Sequence, residues 1–163
     1  MDWILLLGVV TGMRTMTGVA VVCWAAWLSW LPERGWAMWT TYLVSAVVFT
    51  VFALGEYFGD TRANAPSRKA PGPAVARLVF GGLVGALAAA AILQPVAGGI
   101  LAGVAGAVIG TWGGYALRMW TARQVGRDWP VALAESALAL SIAWSAVWHL
   151  HVDVLSDRIR GAP

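Results

Sequence analysis

Residues 78–117, LVFGGLVGALAAAAILQPVAGGILAGVAGAVIGTWGGYAL, run for 40 positions without a charged side chain. A helix crosses the hydrocarbon core of a bilayer with about 20 apolar residues, so this stretch is two spans long. Pro95, with Gly98 and Gly99, divides it near Gln94, which predicts spans over 74–94 and 96–117. Outward from it, residues 36–55 are uncharged, residues 130–150 carry only Glu135, and residues 3–31 carry only Arg14. The whole chain has the same character, with 60% hydrophobic residues, 12% charged and a mean hydropathy of +0.71. A soluble domain is about one quarter charged.

The sequence therefore predicts an all-α integral membrane protein of about five transmembrane helices. Residues 1–163 form one polytopic domain with spans over 3–31, 36–55, 74–94, 96–117 and 130–150. Basic loops 56–77 and 118–129 and a polar tail 151–163 complete it. The start, Met1 and Asp2, has no basic region and no small-residue cleavage pattern, so the first apolar segment reads as a retained span. A lone Cys23 excludes an intrachain disulfide. Of the 11 tryptophans, Trp27, Trp30, Trp36, Trp39, Trp120, Trp129 and Trp148 fall near expected span ends, as in an interfacial aromatic belt.

The net charge of +3 and pI near 9.6 do not point to nucleic acid, because the basic residues sit in loops beside spans. With five spans, Arg62, Arg68, Lys69, Arg77, Arg118, Arg123 and Arg127 share one side, and Arg34, Arg158 and Arg160 the other. The basic excess marks the cytoplasmic side of a bacterial inner membrane. This predicts a cytoplasmic N-terminus together with loops 56–77 and 118–129, which would contact anionic lipid headgroups.

Glycines recur four apart at 99 and 103, 106 and 110, and 110 and 114. Such spacing lets helix backbones approach closely in lipid, here in a hairpin of spans three and four, with a homodimer seam as a second use of the same stripe. The first span is interrupted: Gly12 and Gly18 flank Arg14, with Thr11, Thr15 and Thr17 beside it. A mid-membrane charge is costly and marks function by default, so a broken or kinked helix is expected between Gly12 and Gly18. GVVTGMR at Gly8 and GAVIGTW at Gly106 share a frame, a degenerate inverted repeat if their spans run in opposite directions.

The stretch 55–77, GEYFGDTRANAPSRKAPGPAVAR, gathers six charged residues. Glu56 and Asp60 share a face if the second span continues helically. Arg77 lies one turn inside the third, after Pro73, and is a candidate partner for Glu135. Arg14, Glu56 and Asp60 would complete a network. In the tail, His149, His151 and Asp153 do not share a helix face, so no metal site is expected. No G-x-S-x-G elbow, H-E-x-x-H or phosphate-binding glycine loop occurs. Hence no enzyme activity and no cofactor are expected.

TGMRTMTGVAVVCWAA, LGEYFGDTRANAPSRKAPGPAVARLVFGGLVGA, GAVIGTWGGYALR and DWPVALAESALAL together resemble a family of small bacterial multi-pass membrane proteins labelled as a domain of unknown function. The resemblance covers nearly the whole chain. It implies a multi-pass helical fold and marks Gly12, Arg14, Glu56, Asp60, Pro66, Ser67, Arg68, Arg77, Gly113, Gly114, Tyr115, Arg118 and Glu135. Ala116 stands where the family usually has Glu, and Ser136 where it often has Asp. No activity is implied.

The function expected is a small transporter or channel-like protein, a homodimer, moving a small ion or organic anion. Its pathway is lined by Arg14, Glu56, Asp60, Arg77 and Glu135, with Arg62, Arg68, Arg118, Thr15 and Tyr115 as secondary members. The alternative is a non-transporting scaffold or lipid-handling accessory protein; an intramembrane enzyme is a third.

Overall fold

A computed structural model describes residues 1–60, 71–126 and 128–161, the side chains of Asp60, Val125, Asp128 and Trp129 excepted. The regular elements among the described residues are all helical. They are α1 (Asp2–Met13), α2 (Thr15–Trp27), a 3-10 segment (Gly35–Thr41), α3 (Leu43–Asp60), α4 (Pro71–Ala91), α5 (Val96–Val125) and α6 (Asp128–Ile159). Three stretches, Pro71–Ala91, Val96–Gln124 and Pro130–Ile159, are long and apolar enough to cross a membrane. The 3-10 segment and α3, bent by 69°, qualify together as a fourth. These lengths mark a membrane protein, and large apolar side chains accordingly face outward, among them Val44, Val51, Leu101, Ile109, Leu133 and Leu140.

Residues 3–31 are not one span. They form a hairpin of two half-length helices separated by Arg14 alone, whose backbone is extended at φ −139° and ψ 99°. A side chain at Gly18 would collide with Thr11 and reach within 3.5 Å of the Leu7 carbonyl oxygen, which requires α2 to lie back against α1. The outer ends agree. Trp3, in the first turn of α1, stacks on His149 at 4.0 Å, and Trp30, just past α2, stacks on His151 at 5.4 Å. At 1.5 Å per residue α1 is ~18 Å long, little more than half a hydrocarbon core. A straight helix would leave the Arg14 guanidinium in lipid. The fold-back instead puts it at the tip of a buried hairpin, among polar groups of other helices.

This changes the parity. Met1 lies against Gly98, at the start of α5, so the N-terminus shares an end of the bundle with the outer end of α6. Glu56, Arg77 and Arg118 lie at the other end, which overturns the expected grouping of the N-terminus with loops 56–77 and 118–129.

Helix α5 packs between α1 and α4, and glycine makes both contacts possible. Added side chains at Gly8, Gly12, Gly106 and Gly110 would strike backbone across the α1–α5 seam; at Gly81, Gly85, Gly99 and Gly103 they would do so across α4–α5. The expected close hairpin of the two glycine-rich helices is therefore present. Its stripe is used up inside the subunit, so a dimer seam cannot run along it. The α1–α5 pairs, Gly8 with Gly103 and Gly12 with Gly110, advance together along both helices. The two run parallel, and GVVTGMR and GAVIGTW are side-by-side neighbours rather than halves of an inverted repeat.

The expected loops are also shorter. Helix α3 carries Glu56 and reaches Asp60, while α4 starts at Pro71 with two prolines in its first turn, where a missing amide hydrogen costs nothing. Helix α5 runs on through Arg118 to Val125, since Ala116, Leu117, Met119 and Ala122 favour helix. It stops at Gly126, which takes the left-handed φ of 71° suited to a glycine cap. Helix α6 likewise continues past 150 through most of the expected polar tail.

Candidate functional site

The hairpin tip is the centre of a buried charged group. Arg14 is 1% exposed, and its guanidinium Nη2 donates to the Ala132 carbonyl at 3.0 Å while lying 3.7 Å from Glu135 Oε2. Glu135 is on the first part of α6, seven residues after Asp128. The same Oε2 is 3.7 Å from Nη1 of Arg118, which reaches it from α5. Both ion pairs are longer than a direct charge-assisted hydrogen bond of about 2.8 Å. Tyr57 covers Arg14 from the α3 side, its ring centroid 5.3 Å from the guanidinium carbon. That distance is within cation–π range.

Glu56 has a different task. Breaking the helix at Arg14 leaves the first amides of α2 without intrahelical partners. Thr15 N–H donates to Glu56 Oε1 at 2.9 Å and Met16 N–H to Oε2 at 3.0 Å, so one carboxylate caps the helix in a bidentate grip. Negative charge at a helix N-terminus is favoured by the peptide dipoles. Arg77, buried on α4, stands 4.0 Å from Glu56 Oε1. It turns to Glu56 and not to its expected partner Glu135, because α4 packs on the hairpin side of the cluster and α6 faces Arg118. Thr17 and Tyr57 share a hydrogen bond at 2.7 Å and close this side.

Of the residues singled out in the sequence, Arg14, Thr15, Glu56, Arg77, Arg118 and Glu135 thus converge within the described structure. Tyr115 has an exposed neighbour at Ala116 and lies one turn before Arg118 on α5. Gly12 and Gly18 are packing glycines that seat the hairpin. The Asp60 side chain and Arg62, Pro66, Ser67 and Arg68 lie outside the described residues. Among those described, no group of three His, Cys, Asp or Glu could hold a metal ion. His149 and His151 engage Trp3 and the Trp30 carbonyl, the latter at 3.0 Å.

Two members went unforeseen. Tyr57 follows Glu56 directly, and an aromatic beside a membrane-end carboxylate reads as belt. Glu33 lies at the opposite end of the bundle, in the loop between α2 and the 3-10 segment. It is buried, and neither carboxylate oxygen has a hydrogen-bond partner. Burial pushes its carboxyl up to about 8, so it is mostly neutral at pH 7.

A cavity of about 160 Å³ opens beside the charged group, between α5 and α6, lined by residues that include Met13, Leu117, Arg118, Glu135 and Leu138. Comparison with protein-family models, curated proteins and solved structures finds no match.

Proposed function

We propose that this protein is a small membrane transporter or channel-like protein for an organic anion or another small anion. The observation that carries the reading is the end of α2, where two backbone amides at a mid-bundle helix break are held by a carboxylate. Interrupted helices whose N-termini point at anionic groups are how membrane carriers bind anions without leaving a charge in lipid. Glu56 occupies that place in the present arrangement, with Arg77 4.0 Å from it and Arg14 immediately before the two amides it caps. An incoming carboxylate or phosphate would exchange with Glu56 on the Thr15 and Met16 amides. Glu135 is held between Arg14 and Arg118 and lines the same pathway.

The end bearing Arg77, Arg118 and Arg123 is taken as cytoplasmic from its basic excess, in a bacterial inner membrane. The N-terminus is then on the outer side. Membership of the small bacterial family that the motifs resemble is part of the same proposal, as is a homodimer with a seam away from the glycine stripe. The near-complete burial of Arg14 favours a second reading, a scaffold whose buried pairs are architectural.

Flux separates the two. Purified protein in sealed liposomes is expected to pass small carboxylates or phosphate, with loss of flux in Arg14→Gln and Arg118→Gln and none in the lipid-facing Val48→Ala. In a Cys23→Ala background, cysteines at Glu56 and Glu135 should react with a membrane-impermeant thiol reagent. Tight liposomes for every anion tried, with silence at both cysteines in folded protein, would favour the scaffold.

A further inference from the structure

We propose that the cleft between α5 and α6 is a lateral binding site for an amphiphile with an anionic headgroup, entering from the bilayer. The inference rests on the reading above in taking the buried charged group around Arg14 as the working part of the protein, and it adds a second site on the Arg118 side of that group with its own ligand class.

The cavity's chemistry runs the wrong way for an aqueous vestibule. A water-filled entry has polar walls at its mouth. Here Leu117 and Leu138, 52% and 47% exposed, stand at the outer surface, while the charged Glu135 and Arg118 lie inside. Both helices are long and apolar enough to cross a membrane, and the leucines at this mouth suit it to face lipid. The depths also match a lipid's own polarity. Leu138 lies three residues further into the bundle than Glu135, and Gly114 four further than Arg118, or ~5 Å and ~6 Å along the axes. Arg118, Glu135 and Thr121 therefore lie nearer the surface that bears Arg123 than Leu138 and Gly114 do, with Leu117 and Val131 beside them.

A volume of about 160 Å³ accommodates a phosphate-sized head with the first carbons of a chain, the remainder of which would lie along Leu138 and the outer face of α6. Arg118 and Glu135 both line the cleft, so a phosphate oxygen entering it would meet the Arg118 guanidinium while Glu135 keeps Arg14. Thr121, also lining the cleft, is one turn nearer the surface and can donate to the same head. Arginine on a phosphate is bidentate and strong, and the sugar or glycerol part would remain at the bilayer surface.

The test is photolabelling of the full-length protein in liposomes with phosphatidylglycerol carrying a diazirine near the carboxyl end of one acyl chain. Adducts are mapped by mass spectrometry. Labelling is expected on the peptides holding Leu117, Val131 and Leu138 above the level at Val47 and Val51 of α3. Unlabelled phosphatidylglycerol should compete it away and phosphatidylcholine should not. Arg118→Gln should lower the yield about tenfold, the effect of one lost charge-assisted contact, and Ala134→Phe, which fills the cleft, should abolish it. Uniform labelling of α3, α5 and α6, indifferent to headgroup charge, overturns the proposal on the wild-type protein without any variant. Competition by inorganic phosphate as effective as by the lipid assigns the site to a free anion and also overturns it. Protein that takes the label in the cleft but passes no anion keeps this site and loses the transport reading; flux without cleft labelling does the reverse.

Discussion

Arg14 is the residue on which the hairpin turns. Its guanidinium holds the Ala132 carbonyl and Glu135, so Arg14→Ala leaves a buried carboxylate with one cation fewer. We expect a loss of about 3–5 kcal/mol, read from the denaturant midpoint of the protein in detergent micelles. Arg14→Lys should recover only part of it, since a point charge on a flexible stem cannot replace the planar fork that meets the carbonyl and the carboxylate together. Glu33 makes a separate prediction at the other end. Its carboxyl binds a proton up to about pH 8 when folded and only to the ordinary carboxylate range when unfolded. The folded state thus holds the extra proton between those values, and stability falls as pH rises through that window by up to about 1.4 kcal/mol per unit. Glu33→Gln should flatten that slope in melting curves taken from pH 5 to 9; an unchanged slope would mean that the carboxyl is ionised in place. The need of Arg14 and Glu135 for partners was legible, because a charge in an apolar run must find one. Glu33 was not: Pro-Glu-Arg in a short connection reads as an exposed turn. Its burial belongs to the folded loop, where Leu31, Ala37 and Thr40 are buried as well.

At the scale of elements, the break between Gly12 and Gly18 was readable from glycine and threonine around a charge. The direction of α2 after it was not, because the fold-back depends on Gly18 passing Thr11 and on four later helices that close around the pair. Gly18→Val should therefore destabilise by about 1–3 kcal/mol or more through overpacking. Gly113→Ala, on an open face of α5 where an added methyl meets nothing within 4 Å, should be neutral or stabilise by up to about 1 kcal/mol. Comparable melting shifts for the two would remove close packing as the reason for glycine at the hairpin. The reach of α5 was missed for a simpler reason. Arginines at the end of an apolar run look like a loop, yet nothing between Tyr115 and Val125 breaks a helix, and Arg118 on an inward face becomes a partner for Glu135.

For the whole molecule, folding residues 3–31 back on themselves puts Met1 and the outer end of α6 at one end of the bundle. Single cysteines at Asp2 and Arg160, in a Cys23→Ala background, should be modified from the same side of the membrane, and one at Arg123 from the opposite side. Reaction of the first two from different sides would restore a continuous first span. The membrane class could be read directly, whereas the span count, expected as five against three long apolar helices and one bent pair among the described residues, and the parity could not: hydropathy measures the length of a run and is blind to a turn within it.

The hairpin also has a consequence in time. It is synthesised before its partners, and although Glu56 and Tyr57 follow soon after on α3, the groups that meet its arginine come late: α5 begins at Val96, and Arg118, Ala132 and Glu135 emerge later still. Until then the nascent chain carries an arginine with no carboxylate from α6 to meet it, on helices too short to cross the bilayer alone. The hairpin must wait at the insertion machinery or the membrane surface for its C-terminal partners, and a ribosome that stops before α6 releases a product that cannot close.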